Sequence, residues 1–214
     1  MPIFIVPSNT FNMLKPVYLL CCSVLLSLVA CQSSNEKSSQ SGSGEGLRLR
    51  SAAKDSVDED DLMFQLSAFL IASPSTQPEK EQNRIVNYAI DEMVPLQRTS
   101  SGLFYHIENE GKGAPIKWGD YLKAHYKGYF LDGQVFDASR PKGKPMEFYV
   151  GNMIPAWNEA LQLIKPGGRM LLFAPSSLAY GEKGVQDQSG GEVVPPNEPL
   201  VFELEVVERL EQAE

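Results

Sequence analysis

From Ser100 onward apolar and polar residues alternate with a period of two, and ahead of that point they recur at helical spacing. In YLKAHYKGYFLDGQVFD (121–137), Leu122, Ala124, Tyr126, Gly128 and Phe130 alternate with Lys123, His125, Lys127 and Tyr129. That pattern predicts a half-buried strand with the second set on its wet face, and Asp132-Gly133 supplies the hairpin turn into another strand. LVFELEVVERL (200–210) sets Phe202, Leu204 and Val206 against Glu203 and Glu205, and RMLLFAP (169–175) is a third clear strand. Between them lies one short helix, about ten residues long, with Trp157, Ala160, Leu161 and Ile164 at i, i+3, i+4 and i+7. Pro155 suits its first turn, and Pro166-Gly167-Gly168 stops it. The expected class is α+β: a curved antiparallel β-sheet wrapped around one short helix.

Residues 55–97 form a helical arm ahead of this domain. SVDE (Ser56–Glu59) and TQPE (Thr76–Glu79) each place a hydroxyl three residues before a carboxylate, the capping-box spacing, and Pro78 fits a first turn. Leu62, Leu66, Phe69 and Leu70 stripe the first helix; Val86, Ile90 and Met93 stripe the second, which Pro95 ends. Two helices of about three turns are marginal alone, so their stripes need cover. Docking on the domain and pairing with a second copy, as a homodimer, both provide it.

Composition narrows the function. The chain of 214 residues has a net charge of -8 and no Lys/Arg run, which excludes a nucleic-acid partner. All three cysteines, Cys21, Cys22 and Cys31, precede the arm, so the rest can build neither a disulfide nor a cysteine metal site. His106 and His125 have no second histidine at ligand spacing; no metal and no cofactor are expected, and His125 reads as a surface residue.

MLKPVYLLCCSVLLSLVAC (13–31) has one basic residue and then an apolar run too short to span a bilayer comfortably, the pattern of a secretory signal beginning at Met13. Its end, Leu28-Val29-Ala30-Cys31, resembles the bacterial lipobox, which implies lipidation at Cys31 and a membrane tether. Residues 1–31 are therefore expected to be the signal and 32–54, Ser/Gly-rich at QSSNEKSSQSGSGEG, a flexible linker. The expected location is the bacterial envelope, on the outer membrane facing the periplasm, since Gln32 is not the aspartate that marks inner-membrane retention in some bacteria.

Three blocks, HYKGYFLDGQVFDASR (125–140), MIPAWNEALQLIKPGGRMLLFAPSSLAYG (153–181) and VVPPNEPLVFELEV (193–206), stand in order and at close spacing. Together they resemble the FKBP-type peptidyl-prolyl cis-trans isomerases over residues of about 102 to 209, within a domain placed at 100–210. With the lipid signal and arm, the chain is similar to the secreted Mip-like branch. The resemblance implies an FKBP-like fold and an apolar bowl for a proline side chain, with Trp157 as its floor. It implies walls from Tyr126, Phe136, Phe148, Met153, Ile154, Tyr180 and Phe202, with Val193 and Val194 overhanging the rim. Asp137 would lie beside the bound peptide, held by Arg140 or Lys142, and the Ile154 N–H and Tyr180 hydroxyl would donate to substrate carbonyls. Proline-containing polypeptides, exported proteins among them, are the implied substrates, and the macrolide inhibitors of the family the implied ligands. A non-catalytic peptide-binding chaperone or envelope adaptor would use the same bowl.

Two residues depart from the family pattern. Met146 stands where many members carry an aromatic, a softer wall, and Lys142 stands where an arginine often forks onto the aspartate. The stretch GEKGVQDQSGGEVVPP (181–196) is longer than usual, and its Gly/Ser/Gln content suggests a mobile loop.

Overall fold

The computed structural model describes residues 58–211. The signal, Cys31, the linker and Ser56 lie outside the described residues. Seven antiparallel strands form the main sheet: β1 (Gln97–Arg98), β2 (Phe104–Asn109), β3 (Tyr121–Phe130), β4 (Val135–Ala138), β5 (Met146–Tyr149), β6 (Arg169–Ala174) and β9 (Leu200–Leu210). Their order is β1-β2-β6-β9-β3-β4, and β5 shares the outer edge of β3 with β4. A separate two-stranded ribbon joins β7 (Val185–Gln186) and β8 (Glu192–Val194).

The strands read from the alternation are all present. The turn at Asp132-Gly133 also forms: Gly133 has φ 86°, and the Asp132 carboxylate accepts the Gln134 N–H at 2.9 Å. The inner face carries Leu122 and Ala124 of β3, Met170 and Leu172 of β6, and Leu204 and Val206 of β9, none of them exposed. Against it lies α3 (Pro155–Ala160), continued by a 3-10 turn, Leu161–Leu163, which presents Ala156, Trp157, Ala160, Leu161 and Ile164.

The outer face corrects one expectation. Tyr129, placed by alternation among the wet residues, is only 8% exposed and belongs to a second cluster with Phe104, Phe173 and Val201. The arm covers them. Helix α2 (Gln77–Asp91) buries Ile85 and Val86 there, each fully, a contribution of about 1.5–3 kcal/mol apiece. Phe69 adds an edge-on contact to Phe104 at 5.3 Å. Helix α1 (Glu59–Ser67) packs Leu62 and Leu66 on Ala89 of α2. Leu62, Leu66, Ile85 and Val86 are thus buried within the chain, so docking on the domain covers most of both stripes.

The arm's details also differ from the sequence reading. Helix α1 starts from Asp58, whose carboxylate caps Asp60 N–H at 3.2 Å, with Glu59 as its first helical residue. Leu70 and Met93 fall beyond their helices, 38% and 37% exposed, because each helix ends before its stripe does. The box at Thr76 does form. Its hydroxyl accepts the Glu79 N–H at 3.4 Å, and the Glu79 carboxylate takes the Thr76 and Ser75 N–H groups at 2.8 and 2.7 Å. Those bonds, the one from the Thr76 backbone first, lower the Glu79 pKa from 4.5 to about 2. A depressed carboxyl pKa stabilises the fold above the unfolded value and loses that contribution as pH falls through the folded one. Between pH of about 4.5 and 2 the chain is therefore expected to lose stability with a slope that Glu79→Gln flattens, as read from urea midpoints across that range.

Candidate active site

Trp157 enters the inner core from the first turn of α3, where Pro155 presets the backbone and the Trp157 N–H closes onto the Ile154 carbonyl at 3.0 Å. Three rings surround the indole: Tyr126 at 5.3 Å, Phe202 at 5.6 Å and Phe148 at 5.8 Å between centroids, Phe202 nearly perpendicular to it. Phe136 stands edge-on to Phe202 at 5.8 Å, completing a ring wall from β3, β4, β5 and β9. Trp157, Phe202 and Phe148 are 3%, 3% and 7% exposed, and Val194 also lies in the core beneath the rim. The open surface belongs instead to half-buried Tyr126, Phe136, Met146, Met153, Ile154, Tyr180 and Val193, all packed against that core. Every residue implied for the bowl except lysine-paired Asp137 is thus part of one apolar assembly. The indole N–H is buried with no acceptor, so the side chain is held by packing.

The polar edge is built on Asp137. Its Oδ2 accepts the Tyr126 hydroxyl at 2.8 Å, and Lys142 pairs with its other oxygen while lying 3.2 Å from the same hydroxyl. Of the two cations weighed for Asp137, Lys142 is the partner; Arg140 reaches Glu205 on the polar face of the sheet. The Ile154 N–H and the Tyr180 hydroxyl bond to no protein group among the described residues. Burial raises the Tyr126 and Tyr180 phenol pKa values above 10, and for Tyr126 the Asp137 bond adds to the rise. Tyr129, under the arm, is raised chiefly by burial as well. A raised phenol pKa contributes stability that is complete below pH of about 10 and is lost as pH climbs through the folded value. Absorbance at the phenolate band is expected to show these three tyrosines still protonated at pH 10, ionising only as the fold opens. Three phenols titrating normally in folded protein would contradict the packing.

Several supporting residues escaped the sequence reading. Buried Asn158 ties down the segment that delivers Met153 and Ile154: its Oδ1 accepts the Gly151 and Met153 N–H groups at 2.8 and 3.2 Å, and its Nδ2 donates to the Met153 carbonyl at 2.6 Å. A polar residue beside Trp157 on an otherwise apolar helix face was the available signal. Gly128 is required because the Phe136 ring rests on its backbone; a Cβ there would lie 2.6 Å from the ring edge. The long loop is an antiparallel ribbon rather than an irregular one. Asp187 accepts Ser189 Oγ at 2.6 Å and the Gly191 N–H at 2.8 Å, which lowers its pKa, the Ser189 side chain contributing most. His125 is half-buried with Nδ1 3.0 Å from Ser139 Oγ. It lines a separate groove of about 320 Å³ on the polar face, together with Lys127, Arg140, Glu203 and Glu205, whose charges pair with one another.

An antiparallel sheet packed on one short helix, with a cluster of aromatic rings around that helix's tryptophan, fits the FKBP-like α+β folds. Residues 112–207 match the sequence model of the FKBP-type peptidyl-prolyl cis-trans isomerase family. The chain is 44% identical over 115 residues to the FKBP-type 22 kDa peptidyl-prolyl cis-trans isomerase of Escherichia coli K12, covering 54% of this chain and 53% of that protein. It is 42% identical over 113 residues to a probable FKBP-type peptidyl-prolyl cis-trans isomerase of Haemophilus influenzae, 53% of this chain and 45% of that protein. Among solved structures, FkpA from Escherichia coli superposes with a TM-score of 0.53 at 32% identity over 69% of this chain and 62% of that one. AtFKBP13 gives 0.50 at 32% identity over 54% and 98%. The chain belongs to the FKBP-type peptidyl-prolyl cis-trans isomerase family. It spans about half the length of the curated relatives it matches.

Proposed function

We propose that this protein accelerates cis–trans rotation about X-Pro bonds in exported polypeptides, using the bowl over Trp157. The observation that carries the reading is the ring assembly itself: three aromatic side chains around one indole, with Phe136 edge-on to one of them, edged by two unengaged donors and the Tyr126–Asp137–Lys142 group. Resonance holds the peptide bond planar behind a barrier of about 18–20 kcal/mol, and uncatalysed X-Pro exchange takes tens of seconds. Reaching milliseconds needs a factor of roughly 10⁴, about 5.4 kcal/mol. No bond breaks. The twisted amide separates less charge than the planar one, so a dry aromatic bowl is a poorer host for the planar form than for the twisted one. The proline ring seats among the half-buried rim residues packed on the indole, while the Ile154 N–H and the Tyr180 hydroxyl bind the flanking carbonyls.

A protease-coupled assay on a proline tetrapeptide is expected to show turnover that a family macrolide suppresses. Correctly folded protein with no turnover and no macrolide binding would overturn the reading and leave a peptide-holding role. The signal-like stretch ending at Cys31 supports tethering to the bacterial envelope, with the outer membrane favoured by Gln32. Palmitate labelling that Cys31→Ser abolishes, with release of the protein from the membrane fraction, is the expected result there.

A further inference from the structure

Helix α2 carries one side chain that neither the apolar packing nor the bowl explains. Glu81 is a carboxylate only 2% exposed, facing the sheet side of the arm. A buried carboxylate is tolerated only where donors surround it. Glu81 has three: the Ser176 N–H on Oε2 at 2.7 Å, the Ser176 hydroxyl on Oε1 at 2.8 Å, and Gln77 Nε2 at 2.9 Å. Ser176 is itself 5% exposed and opens the single 3-10 turn Ser176–Leu178, closed by the Ala179 N–H on the Ser176 carbonyl at 2.9 Å. The next residue is Tyr180.

The same helix reaches the other side of the rim. Arg84 forks onto Glu198 at 2.6 and 3.1 Å, and Gln77 Nε2 lies 3.3 Å from the Asn197 carbonyl. Asn197 in turn donates its N–H to Gly181 at 2.9 Å, which ties the segment after Val193 and Val194 to the residue after Tyr180. Gly184 completes this corner, since a Cβ there would lie 2.1 Å from the Val194 carbonyl. Both chain segments that bring Tyr180 and Val193 to the bowl are therefore bonded to α2 from behind the sheet.

We infer that Glu81 is a positioning residue for the bowl, acting through Ser176 to set where the Tyr180 hydroxyl stands, and that α2 is a working part of the site. This rests on the reading of Tyr180 as a wall that donates to substrate. Helix α2 then does more than cover apolar surface: its bonds to Ser176, Asn197 and Glu198 set the rim.

The test compares the wild-type full chain with Glu81→Gln, which keeps the side chain's shape but turns an NH₂ toward the Ser176 donors. Amides 176–180 are expected to exchange about tenfold faster, the scale of one lost buried hydrogen bond. KM for a proline tetrapeptide is expected to rise about fivefold while kcat stays within about twofold, because a binding contact is displaced and the aromatic walls are not. Ser176→Ala is expected to give the same KM rise, and the double variant no further one, since both act through one contact. Leu66→Ala, which loosens α1 far from Ser176, is expected to lower stability yet leave KM unchanged. Unchanged exchange at 176–180 in Glu81→Gln, or faster exchange with unaltered KM, overturns the proposal, as does an equal KM rise in Leu66→Ala. If the wild type turns over no proline peptide but Glu81→Gln still frees these amides, the isomerase reading fails and the Glu81 link to Tyr180 stands.

Discussion

Trp157→Ala is expected to cost about 3–5 kcal/mol of folding stability and to remove measurable isomerisation together with macrolide binding. The stability loss follows from position: the indole is 3% exposed and touches three further rings, which cannot all collapse into the space it leaves because each is anchored on a different strand. The activity loss follows from chemistry, since the floor would become a small methyl and a void open to water. Trp157→Phe separates the two. The indole N–H has no acceptor, so its removal forfeits no hydrogen bond, and the smaller ring costs volume only. That variant is expected to unfold at a moderately lower urea concentration while keeping part of its turnover. A Trp157→Ala protein that is destabilised yet fully active at a temperature where it remains folded would remove Trp157 from the site.

Ile85→Asp is expected to undo the docking of the arm, at a cost of more than about 4 kcal/mol, because it would bury a carboxylate at a fully enclosed position in the apolar cluster of Phe104, Phe173 and Val201. Ile85→Val, which removes one methylene, is expected to cost only about 0.5–1.5 kcal/mol. Once α2 leaves, Phe104, Tyr129, Phe173 and Val201 form a contiguous apolar patch, which favours association with other chains. Limited proteolysis reads this directly, through new cleavage between α1 and α2 and just after α2, and light scattering reads the association. An Ile85→Asp protein with wild-type protease resistance would show that the arm does not stabilise the sheet.

The two variants probe opposite faces of one sheet, and those faces were unequally legible. The inner face was readable because alternation along β3 and β9, and the i, i+3, i+4, i+7 stripe of Trp157, Ala160, Leu161 and Ile164, all point to one core. The bowl residues came from block resemblance, and the inner-face rings do converge on Trp157. The outer face was not readable. Tyr129 alternates with core residues, and a period of two distinguishes only that it lies on the other side, not whether water or a helix meets it there. The ends of the arm helices were also missed, since the stripes continue through Leu70 and Met93 although the backbone turns first.

What the sequence alone determined is therefore the local grammar: strands, the short helix, its stops, and the box at Thr76, each set by residues within a few positions of one another. Tertiary structure decided where the arm goes, that Lys142 rather than Arg140 meets Asp137, and that the long loop closes into a ribbon. It also decided the fate of Glu81, which sits in a charged run and reads as solvent-facing until Ser176, 95 residues on, supplies its donors. Periodicity records only which way a side chain leaves its own backbone; what it meets there is set by contacts between distant parts of the chain.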